Sequence, residues 1–151
     1  MRSGWIAIVI AAGASLLAAD QVKVWSSADL KALEQKMSAR KEKVETAPLA
    51  VYSNYQMSVA HRTASGEAEL HETTNDIFYV LSGTATLVTA GTISGQRTTA
   101  PHEIRGASIT GGEQRKIGPG DWLTIPAGVP HQLLLDPGTE FTYAVVKVTG
   151  K

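Results

Sequence analysis

A chain of 151 residues with 43% apolar and 19% charged side chains fits one globular domain with its own core, not a disordered or membrane-embedded protein. Fourteen Lys and Arg balance fourteen Asp and Glu, so no basic face points to nucleic acid as a partner. Cysteine is absent, which excludes disulfides, thiolate ligands and a Cys nucleophile and leaves imidazole and carboxylate to hold any metal.

Arg2 followed by the apolar and small stretch Trp5–Ala19 has the pattern of a secretory signal. The run is short for a bilayer span and lacks a basic flank behind it. Residues 1–19 are therefore expected to be removed, after Ala18 or Ala19, leaving a periplasmic or secreted protein with no membrane attachment. Leu16 or Leu17 stands where such signals prefer a small residue, so an uncleaved anchor is the rival reading.

Residues 20–47 read as a helical extension. Ser26-Ser-Ala-Asp29 supplies a cap and an acidic first turn, and Leu30, Leu33 and Met37 recur at helical spacing. Lys36, Arg40, Lys41 and Lys43 suit its last turns, and Glu42 to Pro48 ends it. The apolar stripe must pack on the chain's own sheet or on a second copy in a homodimer.

From Leu49 the period changes to two. Tyr55, Met57, Val59 and His61 share one face of a strand, which turns His61 toward the apolar side and Arg62 away from it. Further strands are expected at Glu67–Glu72, Asp76–Leu81, Thr84–Ala90, Ile104–Thr110, Trp122–Ile125, His131–Leu135 and Glu140–Val148. Gly and Pro turns separate them: Ser82-Gly83, Gly111-Gly112, Gly118-Pro119-Gly120 and Asp136-Pro137-Gly138. Short strands at this spacing predict a sandwich or barrel. The stretch Thr92–Lys116 is longer than a small barrel needs, and it reads as a lid or as an extra hairpin.

Chemistry converges on two segments. Glu69 and His71 are two apart on one strand and leave the same face. Asp76 opens the next strand after a short link. In Gly120-Asp-Trp-Leu-Thr-Ile-Pro126-Ala-Gly128-Val-Pro130-His131, Pro126 fixes φ and Gly128 permits a left-handed turn, which aims His131. One carboxylate and two histidines are a donor set that leaves coordination positions open, with Asp76 as a fourth ligand or as a group that orients a histidine.

At these residues the chain resembles the cupin family. The second cupin motif runs Gly, five residues, Pro-x-Gly, two residues, His, three residues, Asn. Gly120, Pro126, Gly128 and His131 match it, and Leu135 replaces the Asn. The first motif runs Gly, five residues, His-x-His, three or four residues, Glu, six residues, Gly. Here His71 and Gly83 match, while Thr63, Glu69 and Asp76 replace Gly, His and Glu. The resemblance implies an all-β cupin barrel, a double-stranded β-helix or jelly roll, over residues 48–151. It implies one divalent metal, with Zn, Mn, Fe, Ni and Cu all compatible, held by Glu69, His71, Asp76 and His131. The usual three-histidine, one-glutamate set would here be two histidines and two carboxylates, a harder and more anionic site.

His61 is a candidate general base or substrate hydrogen-bond partner, or else a satisfied interior histidine, and Tyr55, Phe78, Trp122, His102 and Glu103 are candidate pocket residues for a small-molecule ligand. The resemblance implies a metal-dependent enzyme such as an oxygenase, isomerase or hydrolase. The rivals are a ligand-binding cupin without turnover and a metal-free barrel that serves oligomer assembly.

Overall fold

The helix expected after Ser26 forms in a computed structural model that describes residues 22–150. The expected signal at 1–19 lies outside the described residues. Helix α1 spans Ser27–Ser38. The Ser26 hydroxyl accepts from Asp29 N at 3.1 Å, and the Asp29 carboxylate accepts from Ser26 N at 2.9 Å. Two otherwise unpaired donors are thereby satisfied, an effect of about 1 kcal/mol. The helix stops at Ser38, so Lys36 lies in its last turn while Arg40, Lys41 and Lys43 lie beyond it. Met37 is buried with Leu49 and Val59, and Leu30 and Leu33 pack on the same cluster. The stripe thus covers the chain's own sheet. Among the described residues no helix is long and apolar enough to cross a membrane.

Thirteen strands follow: β1 Val44–Val51, β2 Tyr55–Arg62, β3 Ala68–His71, β4 Thr74–Gly83, β5 Ala85–Thr89, β6 Thr92–Ser94, β7 Arg97–Ala100, β8 Glu103–Gly106, β9 Ser108–Thr110, β10 Glu113–Ile117, β11 Trp122–Ile125, β12 His131–Leu134 and β13 Phe141–Thr149. One large sheet runs β1-β2-β13-β4-β11, the other runs β10-β5-β12-β3-β8-β7, and β6 and β9 form a separate two-stranded sheet. Phe78, Val80, Leu87, Leu133, Phe141 and Tyr143 fill the space between the two large sheets. The described residues are thus all-β apart from α1, with antiparallel pairing throughout.

Three expectations change. The sheet starts at Val44 rather than at Pro48, and Pro48 is tolerated because β1 is an edge strand with a register shift just beyond it. The single strand expected over Ile104–Thr110 is two, β8 and β9. Gly106 closes the first of them, and a Cβ there would lie 2.2 Å from the Ile93 side chain. Thr92–Lys116 is not a lid but holds the extra hairpin: β7 and β8 pair and extend the second sheet through β3, β6 pairs with β9, and β10 pairs with β5.

The alternation of β2 is as expected, but its sense is reversed. Ala60 joins Phe78 and Val80 between the sheets, whereas Val59 packs under α1. Both faces of β2 are covered, so a period of two cannot by itself say which face meets the barrel interior.

Gly83 marks where β4 turns against the start of β13. Its φ is +74°, and a Cβ there would lie 2.0 Å from the Glu140 carbonyl oxygen. Gly120 has φ +89° but open space around it. Urea denaturation should therefore show Gly83→Ala costing about 3 kcal/mol or more, against about 1 kcal/mol for Gly120→Ala. Equal losses would mean that the approach of Glu140 imposes nothing.

Candidate metal centre

Strand β3 presents Glu69 and His71 on one face, as their spacing requires. His131 opens β12 directly opposite Glu69. The turn before it is tied at two points: Gly128 N donates to the His71 carbonyl at 2.8 Å, and Ala127 N donates to Asn75 Oδ1 at 3.0 Å. Gly128 has φ +79°, which only glycine adopts without strain. The end of β3, the start of β4 and the entry to β12 are thus locked together. Asp76, on β4, is buried beside them.

Glu69, His71 and His131 offer donor atoms all within 4.8 Å of one another. Glu69 Oε2 lies 3.5 Å from His71 Nε2 and 3.7 Å from His131 Nε2. Asp76 Oδ2 lies 3.3 Å and 3.7 Å from the same two nitrogens. A metal with ligand bonds of about 2.0–2.2 Å holds neighbouring donors roughly 3–3.6 Å apart, so the set is close to ligating geometry.

The imidazoles are oriented for that role. His131 Nδ1 donates to the Val129 carbonyl at 3.1 Å, and His71 Nδ1 donates to Glu103 Oε2 at 2.7 Å. Each acceptor takes a proton and offers none, so each ring can present an Nε2 lone pair to the common point. His131 Nε2 is buried with no hydrogen-bond partner. Leaving such an atom unsatisfied costs about 1–3 kcal/mol, and a cation at this point would satisfy it. The donor set therefore fits a divalent ion.

Burial pushes the His131 imidazolium toward its neutral form, below the usual histidine range. Burial opposes the charge on Glu69, but the His71 hydrogen bond together with Arg105, His131 and Arg62 outweighs it and holds the carboxyl at about 2. Burial likewise opposes the charge on Asp76, and its contacts with His71 and Lys147 reverse the effect, keeping it below the usual range. His71 is pushed up to about 9: burial disfavours its charge, but the hydrogen bonds it donates to Asp76 and Glu69 outweigh burial and the nearby Lys147.

Three cations reach the cluster that the expected site residues did not include. Lys147 Nζ lies 2.9 Å from both Asp76 oxygens and 2.9 Å from His71 Nε2. The signal was present, because Tyr143, Val145 and Lys147 share one face of β13 and a lysine interrupts an apolar alternation there. Arg62, expected at the surface, is mostly buried; its Nε donates to the Tyr143 hydroxyl at 3.2 Å, and its Nη2 lies 3.6 Å from Glu69 Oε1. Arg105 pairs with Glu69 from β8 and reaches to 3.6 Å from Glu103.

Other expected residues lie elsewhere. His61 is on the far face of β2, under α1, where its Nδ1 bonds the Thr142 hydroxyl at 2.9 Å and its Nε2 lies 3.6 Å from Glu140. It cannot reach a substrate in the barrel and is a structural histidine. Trp122 is 68% exposed and packs at a tilt against Tyr79 outside the barrel. His102 is exposed and pairs with Glu72 at 3.0 Å. Tyr55 stacks on Tyr52 and lines a small cavity that also touches Glu103 and Lys147. Phe78 does line the main cavity, about 570 Å³, into which Glu69 and Asp76 face. Glu103 belongs to the site as the partner of His71.

No known family profile and no curated protein matches the sequence. Solved structures do match in fold. A double-stranded β-helix protein from Klebsiella pneumoniae is 14% identical with a TM-score of 0.54, over 74% of this chain and 81% of that one. A cupin superfamily protein from Desulfitobacterium hafniense is 16% identical with a TM-score of 0.51, over 73% and 81%. The polyketide cyclase RemF from Streptomyces resistomycificus is 20% identical with a TM-score of 0.51, over 71% and 66%. These likenesses, joined to the strand order and to the turn that delivers His131, show that the chain has the double-stranded β-helix fold of the cupins.

Proposed function

We propose that the protein is an exported metal-dependent cupin enzyme that binds one divalent ion through Glu69, His71, His131 and Asp76 and acts on a small organic molecule. The observation that carries this reading is the buried, partnerless Nε2 of His131, facing the Nε2 of His71 and two ionised carboxylates. Export rests on the apolar run before Ala19. Several fold neighbours, a polyketide cyclase and a DMSP lyase among them, are enzymes, which supports turnover here.

When bound, the ion would supply Lewis acidity and a water or substrate activated at its open positions, which suits an oxygenase, isomerase or hydrolase. The chain's own groups do the rest. Glu103 fixes the His71 ring, and the Val129 carbonyl fixes the His131 ring. Phe78 and Val145 give the cavity an apolar wall, and Lys147 brings a cation to its edge.

The test is elemental analysis of mature, untagged protein, stripped with chelator and incubated in turn with Mn, Fe, Zn, Ni and Cu. One ion per chain is expected for at least one metal. No uptake of any of them overturns the proposal.

Metal uptake should also be pH-dependent, because His71 must surrender its proton to ligate. With His71 at about 9, affinity should rise about tenfold per pH unit up to that value and then level off. The sign for the metal-free protein is opposite. A histidine raised above its unfolded value of 6.5 stabilises the fold below that pH, and the contribution is lost as pH rises through about 9. Competition titrations across this range check the first statement, and a flat profile contradicts it.

A further inference from the structure

The cavity beside the metal centre has a charge pattern of its own. With the imidazoles counted as neutral, Arg62, Arg105 and Lys147 on its wall face Glu69 and Asp76, and Glu103, outside the cavity against His71 and Arg105, completes three charges of each sign. These balance. Glu67, also at the cavity, is already matched by Arg97 at 2.8 Å. A divalent ion held by neutral imidazoles would leave a surplus of two positive charges in a largely buried site, which is costly unless an anion joins them. Lys43, on the cavity wall, adds to the same imbalance.

Two of these cations have donors to spare. Arg62 makes one neutral hydrogen bond, to Tyr143, and its carboxylate contact is long at 3.6 Å. Arg105 shares Glu69 with Arg62 and with both histidines, so a metal drawing on Glu69 would loosen both guanidiniums from it. Gly66 leaves room for the Arg62 head: a Cβ there would stand 2.7 Å from its Nη1. Ala60, Phe78 and Val145 form the apolar part of the same cavity.

Resting on the metal reading, we propose that the substrate is a small organic acid whose carboxylate is held by Arg62 and Arg105 while its apolar body lies on Phe78 and Val145. Planar guanidiniums bind a carboxylate in two-point fashion, and the apolar wall selects an organic body over a bare inorganic anion.

The experiment is calorimetric titration of Zn-loaded mature protein with benzoate, phthalate and succinate, with benzamide as the neutral counterpart and inorganic phosphate as the bare anion. At least one acid should bind, with benzamide and phosphate at least about tenfold weaker than that acid. Arg105→Gln should weaken the acid about tenfold or more while one Zn per chain is retained. Gly66→Ala, which displaces only the far end of the Arg62 side chain, should do the same and guards against an Arg variant that fails to fold. Zn uptake with no acid binding, equal binding of benzamide or phosphate, or unchanged affinity in both variants overturns the inference and leaves the metal reading standing. Failure to take up Zn or any other divalent ion overturns both.

Discussion

Replacing His131 by Ala is expected to abolish tight metal binding while the barrel stays folded. The His131 ring is held by a single hydrogen bond, from Nδ1 to the Val129 carbonyl, and its Nε2 bonds nothing in the protein. Its removal costs the fold some packing but breaks no side-chain network. The metal would lose one of two imidazoles and be left with carboxylates and His71 alone. Groups that merely orient a ligand commonly affect affinity by about 10–100-fold, so a ligand itself should cost more than about 100-fold. His71→Ala should match it, and Glu103→Gln should fall in the smaller range, because it frees the His71 ring without removing a donor. His61→Gln serves as the control, since His61 lies on the opposite face of β2, bonded to Thr142. A competition assay against a chelating dye measures all four. Affinity unchanged in His131→Ala, or lost in His61→Gln, would show that the metal is held elsewhere.

Lys147→Met should act in the other direction, tightening metal binding by about tenfold or more. The Lys147 ammonium lies 2.9 Å from both Asp76 oxygens and from His71 Nε2, so it engages two of the four candidate ligands. A metal must displace it, and the like charges repel across a poorly solvated gap. Removing the ammonium also leaves Asp76, 1% exposed, with only the His71 imidazolium as a cation beside it in the metal-free protein. Breaking such a pair typically costs about 3–5 kcal/mol, so metal-free Lys147→Met should melt well below the parent. Added metal should restore most of that loss, giving the variant a larger thermal shift than the parent. Weaker binding in the variant would mean that Lys147 supports the ion rather than competing with it.

How much of this was legible in the sequence depended on whether the signal was local. Ser26 and Asp29 announced the start of α1, and Pro126, Gly128 and His131 announced the turn, because cap and turn chemistry are fixed by neighbours in the chain. Glu69 and His71 were placed on one face by strand period alone. What failed was the question of which face. His61 does lie on the apolar side, but that side is the one under α1 and not the barrel interior, and Arg62, expected at the surface, points into the barrel; α1 gives the outer face of β2 an apolar cover, so the alternation carries no inside-or-outside label there. Trp122 was misplaced for a related reason: a large aromatic reads as buried, yet it can lie on the outside of a sheet against Tyr79. Arg105 and Glu103 reach the site only because β8 pairs with β3, a contact over thirty residues of chain that no local pattern encodes.

The central claim is that Glu69, His71, His131 and Asp76 hold one metal ion in the barrel, and anomalous scattering from a crystal grown with Zn tests it most directly. One strong peak is expected within about 2.0–2.3 Å of His71 Nε2, His131 Nε2 and a Glu69 oxygen, with Asp76 at ligand distance once Lys147 has moved aside. No peak in the barrel, or a peak only at the exposed His102 and Glu72 pair, would contradict the account.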